Sequence, residues 1–344
     1  MELWIEQMVG QLPWGLLLLL IAATFYTLSK GADILVEEAV TLSVRWGVPK
    51  VLIGATVVSL GTTLPEASVS VLAAVQGSPD LALGNAVGSV ICDTGLILGL
   101  ATLITPLPLD RAIVNRQGWI QLGAGVLLVM ACLPFGTLEG LFRVGGHLPQ
   151  WMGVVFLVLL AVYLWQSIKW ARRRELPGML EDVEHVDTAA TGLVFLKLCG
   201  GIALVIGSSW VLIPAVREAA ERLHIPPGIV AATLVAFGTS LPELVTAVTA
   251  ALKRHGELAV GNVIGADILN VLFVAGASAA VTSGGLNASA DFFRMLFPAM
   301  LLVLVVFRIG VLTSGTALKR PFGIVLIGTY VVITILSYSH RPGA

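Results

Sequence analysis

Apolar positions along this chain gather into stretches of about 17 residues or more, the length needed to cross a hydrocarbon core. Short polar or Gly/Pro-rich breaks separate them. A window argument predicts about ten helical spans, near residues 12–40, 48–75, 81–105, 117–134, 151–168, 190–216, 228–252, 257–282, 292–308 and 321–338. The first run, from Trp14 onward, follows no basic segment and no A-x-A-like cleavage site, so it reads as a retained span rather than a signal peptide. The longest charged break runs from Lys169 to Asp187 and contains Arg172, Arg173 and Arg174. It divides the chain into residues 1–168 and 190–344, joined by a linker over 169–189.

Composition agrees with the pattern. Apolar residues make up 57% of the 344 positions and charged residues 12%, roughly half the charge of a soluble domain. Mean hydropathy is +0.94. The chain reads as an integral, helical membrane protein. Its three cysteines (Cys92, Cys132, Cys199) lie in apolar segments without metal-ligand spacing and read as buried small hydrophobes.

The two halves repeat each other. A shift of 177 residues lays 48–93 on 225–270 without a gap, with 18 of the 46 pairs identical, among them Pro49/Pro226, Gly61/Gly238, Glu66/Glu243, Asn85/Asn262 and Gly88/Gly265. GTTLPE matches GTSLPE, and GNAVGSVICD matches GNVIGADILN in the same register. Five spans per copy is an odd number, so the second copy enters the membrane upside down, a transporter design with the ion site at the midplane. The expected fold is therefore an all-α membrane protein of about ten transmembrane helices in two inverted five-helix repeats. With the N-terminus outside, thirteen basic residues fall in cytoplasmic segments and five in outer ones, which favours both termini outside.

Each repeat carries a glutamate inside an apolar span, Glu66 and Glu243, directly after a proline and five residues after a glycine. An ionisable group at that depth is energetically costly and usually functional. Pro65 and Pro242 each remove a backbone hydrogen bond and free a carbonyl near i−4, which at membrane depth must be satisfied by something else. Carboxylate, loosened carbonyls and the hydroxyls of Thr62, Thr63, Thr239 and Ser240 are hard oxygen donors, the set that suits calcium and sodium. In the next span Ser89 and Asp93 share a helix face at i,i+4, and their equivalents are Ala266 and Asn270. The pairs Gly84/Gly88 and Gly261/Gly265 let helices approach closely. Asn85 and Asn262 fit a structural role, hydrogen-bonding the kinked helices.

These motifs resemble the sodium/calcium exchanger branch of the cation/calcium exchanger superfamily, of prokaryotic type, whose repeats contain G-T/S-S-L-P-E followed by G-N-x-x-G-S-N-I-x-N/D. The resemblance implies that Glu66 and Glu243 ligate calcium, with sodium competing for the same oxygens. It also implies a hydroxyl set of Thr62, Thr63, Thr239, Ser240 and Ser89. Three departures stand out. Asp93 and Asn270 reverse the family's usual Asn-then-Asp order, so the third acid changes sides. Ala266 removes one sodium-ligating hydroxyl. Val90 and Asp267 replace the asparagines of the G-S-N elements, and Asp267 is either an extra site acid or a packed, neutralised carboxyl.

The expected activity is secondary antiport of Ca2+ for Na+ by alternating access, with the first and sixth spans sliding past the others as the resemblance implies. A proton/calcium antiporter using the same carboxylates is the close alternative, and a passive cation channel a further one. No ATP-binding domain, P-loop, nucleophile elbow or HExxH pattern occurs, so the chain is expected to be an ion transporter, not an enzyme, with no cofactor. Its implied partners are inorganic cations and the lipid bilayer, with no nucleic acid. The short central break favours a prokaryotic inner membrane. Lys30, Asp33, Glu37 and Glu38 read as a water-facing helix end with a local Lys30–Asp33 contact.

Overall fold

The computed structural model describes residues 2–134, 141–172, 191–223 and 239–339. A short helix α1 (Glu2–Gly10) leads into α2 (Trp14–Trp46). Next come α3 (Lys50–Thr62) and α4 (Leu64–Val75), bent by 45° at Thr63. Then follow α5 (Pro79–Ile104), α6 (Arg111–Cys132), α7 (Gln150–Arg172) and α8 (Thr191–Arg222). The second half continues with α9 (Leu241–Leu252), α10 (Gly256–Val281), α11 (Phe292–Thr313) and α12 (Arg320–Ser339). Two short antiparallel ladders tie the halves together at their loops. They pair β1 (Leu107–Pro108) with β4 (Ala317–Leu318), and β2 (Gly146–Leu148) with β3 (Leu286–Ala288).

Local chemistry explains the boundaries. Gly47 closes α2 in the left-handed region at φ +61°, returning its N–H to Ser43 and Val44. Asp110 caps α6 by accepting from the N–H groups of Ala112 and Ile113. Among the described residues seven helices are long and apolar enough to cross a membrane, or eight if the bent α3–α4 pair is one span. The protein is thus an all-α membrane protein. Of the remaining expected spans, α6 is 22 residues long but carries Arg111, Asn115, Arg116, Gln117 and Gln121. The short α9 forms the second part of the seventh; most of the first part, with Pro226 and Gly238, lies outside the described residues.

Burial sorts the helices into layers. In α5 and α10, 78% and 94% of the most apolar window is buried inside the protein, against 28% in α2 and α7 and 17% in α12. Helices α5 and α10 therefore form the centre, and α2, α7 and α12 present apolar faces outward, as a lipid-facing ring does.

The sequence repeat carries over into the backbone at the same offset of 177. Leu64–Val75 matches Leu241–Leu252, and Pro79–Cys92 matches Gly256–Leu269. A π-turn opens at the equivalent residues Asp93 and Asn270. Such turns insert an extra residue into the ladder and re-aim side chains, often at functional sites.

Close glycine contacts hold the centre together. A Cβ on Gly261 would stand 2.2 Å from the Val51 carbonyl oxygen, and one on Gly54 would stand 2.6 Å from that of Leu258, so α3 and α10 meet backbone to backbone. Gly84 and Gly88 meet nothing closer than 3.8 Å. The segment equivalent to α3 lies largely outside the described residues.

Two sequence expectations change. Cys199 is exposed on the outer face of α8, whereas Cys92 and Cys132 are buried; all three are free. Arg308, the last residue of the expected ninth span, lies inside α11, which continues to Thr313. It is buried, with its guanidinium 4.5 Å from the centre of the Trp119 ring.

Candidate ion-binding site

Pro65 and Pro242 sit at the starts of α4 and α9, which places Glu66 and Glu243 in the first turn of each helix. There the positive end of the helix dipole favours a carboxylate. Both side chains are fully enclosed, at 0% and 1% exposure. Glu243 and Asp93 lie close enough to repel a charge on Glu66, as Glu243 and Asp267 do for Asp93. None of the ion pairs among the described residues includes Glu66, Asp93, Glu243 or Asp267.

The halves exchange their polar contacts reciprocally. Thr63 donates to Glu243 Oε1 at 3.4 Å, while its equivalent Ser240 stands beside Glu66. Thr62 donates to Asn262 Oδ1 at 3.5 Å, and its equivalent Thr239 donates to Asn85 Oδ1 at 3.2 Å. Asn270 Nδ2 donates to the equivalent Asp93, at Oδ2, across 3.4 Å. A residue that meets its own equivalent, among contacts swapped between halves, is the signature of a two-fold relation. The pseudo-axis therefore passes among Glu66, Glu243, Asp93 and Asn270.

Many oxygens here have no donor. Both carboxylate oxygens of Glu66, Oε2 of Glu243, Oδ1 of Asp93 and Oδ1 of Asn270 are buried without a hydrogen-bond partner, as is the Ser240 hydroxyl. A buried acceptor without a partner carries a full desolvation penalty, and a cation is the group that relieves several at once. Among the described residues no three acidic, histidine or cysteine side chains stand close enough together to hold a metal ion by themselves, so Glu66, Glu243 and Asp93 need neutral donors beside them. The paired glutamates are complemented instead by hydroxyls and amides. Ser89 is buried one helical turn before Asp93.

Asn85 and Asn262 stand behind this centre. Asn85 Nδ2 donates to Ser70 Oγ at 2.9 Å and to the Glu66 carbonyl at 3.5 Å. Asn262 Nδ2 is without a partner, because Ala247 occupies the place equivalent to Ser70.

Asp267, read from the sequence as either an extra site acid or a packed carboxyl, has partners that the sequence reading missed. Asp267 Oδ2 accepts hydrogen bonds from the Thr94 hydroxyl and the Gln121 amide, and Gln121 also donates to Thr94 at 3.1 Å. Asp267 Oδ1 remains without a partner. The available signal was Gln117 and Gln121, spaced i,i+4 within an otherwise apolar run.

At the end of α9 lies a charged patch. Lys253 bridges to Asp33 at 3.0 Å and Glu37 at 2.5 Å, both on α2. Burial alone lowers the pKa of Lys253, but hydrogen bonds and charge from Glu37 and Asp33 outweigh it and leave the value raised. The expected Lys30–Asp33 contact is present at 3.9 Å.

Comparison with known proteins places these features in a wider group. A family model described as "Sodium/calcium exchanger protein" matches residues 16–169 and 193–339. The chain is 32% identical over 317 residues to the Inner membrane protein YrbG of Escherichia coli (strain K12), covering 90% of this chain and 93% of that one. It is 30% identical over 349 residues to the Sodium/calcium exchanger MaX1 of Methanosarcina acetivorans, covering 94% and 98%. Its fold resembles the solved sodium-calcium exchanger NCX_Mj soaked with 10 mM Na+ and zero Ca2+, with TM-score 0.77, 24% identity and coverage of 95% and 99%.

Proposed function

The chain belongs to the sodium/calcium exchanger family, and on that premise we propose that it exchanges calcium for sodium across a membrane by alternating access. The observation that carries this reading is the Glu66–Glu243 pair, enclosed at the pseudo-axis with carboxylate oxygens that no protein donor satisfies. Calcium takes six to eight oxygens. Glu66, Glu243 and Asp93 supply the charge, and Thr62, Thr63, Ser89, Thr239, Ser240 and Asn270 supply neutral donors. Two or more sodium ions compete for the same set. An empty cage of carboxylates is costly to carry through a low dielectric, so the transition runs when cations neutralise it.

In this reading α6, and α9 with the segment before it, complete ten spans in two inverted repeats, residues 1–168 and 190–344. Both termini lie outside a prokaryotic inner membrane. The pair α2–α8 slides past the centre formed by the other helices. Gly31 and Gly201 lock that pair together, each so close to the partner helix that a Cβ would stand within 3.0 Å of it.

The test is calcium-45 uptake into proteoliposomes preloaded with sodium, choline or acid buffer. Uptake that requires internal sodium and vanishes in Glu66→Gln and Glu243→Gln is the expected result. Uptake driven equally by a pH gradient without sodium replaces this reading with proton/calcium exchange. Wild-type flux in both variants overturns the site.

A further inference from the structure

Arg308 is a charge on a membrane-spanning helix that nothing in the protein answers. It lies on α11, which ends at Thr313, and is 3% exposed. Its Nε, Nη1 and Nη2 are all buried without a hydrogen-bond partner, and no ion pair among the described residues includes it. The guanidinium lies against α6, so close that a Cβ on Gly118 would stand 2.7 Å from Nη1, and 4.5 Å from the centre of the Trp119 ring. A ring face answers part of the charge but leaves the N–H donors unpaired. An intramembrane arginine in that condition is costly and points to a ligand.

The surroundings say what kind of anion can reach it. Trp119, and Ile309 and Leu312 next along α11, are 53%, 50% and 55% exposed, so the surface around Arg308 is apolar and faces outward. The same end of the bundle is basic. Arg111 donates to the carbonyls of Gly315 and Ser314 at 2.8 and 2.7 Å, Arg320 donates to that of Ile104 at 3.0 Å, and Lys319 is exposed. Asp110 is the only acid in residues 105–120 and 305–322, and its carboxylate caps α6. Two further cation–ring stacks lie at the ends of α6 and α7, Arg116 on Trp170 at 3.8 Å and Lys169 on Trp165 at 4.8 Å. Basic and aromatic anchors gather in this way at a membrane–water interface. Arg116 and Lys169 are only partly buried, whereas Arg308 is enclosed.

We propose that Arg308 and Trp119 form a binding site for the phosphate of an anionic phospholipid, drawn from the leaflet at this end of the bundle into the seam between α6 and α11. The planar guanidinium fork matches phosphate oxygens two at a time. An anion carried on acyl chains covers the apolar surface of Ile309 and Leu312 as its phosphate enters, whereas a free anion would lose its hydration and leave that surface bare. The half-exposed Trp119 ring is the cover, and its rotation admits the headgroup. The depth fits. The stretch from Arg308 to the end of α11 spans about 7.5 Å of helix, a distance that a long arginine side chain bridges toward the headgroup layer.

The site is independent of which cations are exchanged and is tested without transport. The purified full chain, stripped of lipid in detergent, is given phosphatidylglycerol, phosphatidylcholine or inorganic phosphate and followed by native mass spectrometry and thermal unfolding. Wild type is expected to hold one phosphatidylglycerol per chain at least about tenfold more tightly than phosphatidylcholine, and to melt higher with it. Arg308→Gln should lose that preference and melt no lower than wild type in phosphatidylcholine, because it removes an unpaired buried charge. Lys319→Gln, which removes an exposed charge from the same end, should keep the preference. An equal preference in wild type and Arg308→Gln overturns the proposal, and so does its loss in Lys319→Gln, which would assign it to diffuse surface charge. Stabilisation by inorganic phosphate that matches phosphatidylglycerol overturns it as well, since the ligand is then a soluble anion. If Arg308→Gln melts lower in phosphatidylcholine or fails to fold, Arg308 is already satisfied within the protein and the site is refuted.

Discussion

Replacing Gly265 by alanine tests the packing on which the ion site depends. A Cβ at Gly265 would stand 2.5 Å from Ala55 Cα and from Ser59 Oγ, and 2.6 Å from the Ala55 carbonyl oxygen. Ordinary contact starts at 3.4 Å, so α10 must retreat from α3 by roughly 1 Å. Two of the three atoms are backbone and cannot rotate away. One turn earlier, Asn262 receives the Thr62 hydroxyl at 3.5 Å, and such a retreat breaks that bond. Overpacking of this kind costs about 1–3 kcal/mol. The strain is relieved only when the helices part, so the packed, ion-competent arrangement loses about five- to 150-fold in population at 1.4 kcal/mol per decade. Calcium-45 equilibrium binding should weaken at least about fivefold, and the thermal unfolding midpoint should fall. Gly123→Ala is the control, because Gly123 has nothing within 4 Å of a built Cβ; it should bind as wild type and melt no lower. Wild-type binding and melting in Gly265→Ala would refute the close-packed account of this interface.

Other expectations follow from particular contacts. Lys253→Gln removes two bridges between α2 and the end of α9, worth together about 1 kcal/mol at low salt given their partial exposure. If α2 moves relative to α9 during exchange, the turnover rate should change about two- to fivefold, and the difference should shrink at high salt. Because the Lys253 pKa is raised, the bridge is present below the ordinary lysine value and is lost only as pH climbs through the folded one. The ratio of wild-type to variant rates should therefore stay flat from about pH 6 to 9; a ratio that varies across that range would show that another group controls it. Ala247→Ser should give Asn262 Nδ2 the partner that Ser70 gives Asn85, stabilising the protein by about 0.5–1.5 kcal/mol. A lower melting temperature in that variant would show that the buried site has no room for the hydroxyl.

Much of the architecture was legible in the chain because it is written locally. Span length and apolarity report directly on a hydrocarbon slab, and most spans read this way are helices here. The Pro65 break is a covalent fact, since proline has no N–H, and the helix bends beside it. The offset of 177 survived into matched helix bounds because equivalent sequences meet equivalent surroundings. The motifs that place Glu66, Glu243 and Asp93 in apolar spans marked a buried, charged centre before any contact was known.

What the sequence by itself determined was therefore a helical membrane protein with a duplicated, acid-bearing motif. The tertiary structure decided which side chains meet. Thr62 finds Asn262, Thr239 finds Asn85, and Gln121 reaches Asp267. It also decided that Arg308 is buried and Cys199 exposed, and that Lys253 clasps α2. Each of these depends on the rotation and depth of one helix against another. Those are set by close packing at positions such as Gly54, Gly261 and Gly265, where the absence of a side chain reads as nothing in a hydropathy window and as contact in three dimensions.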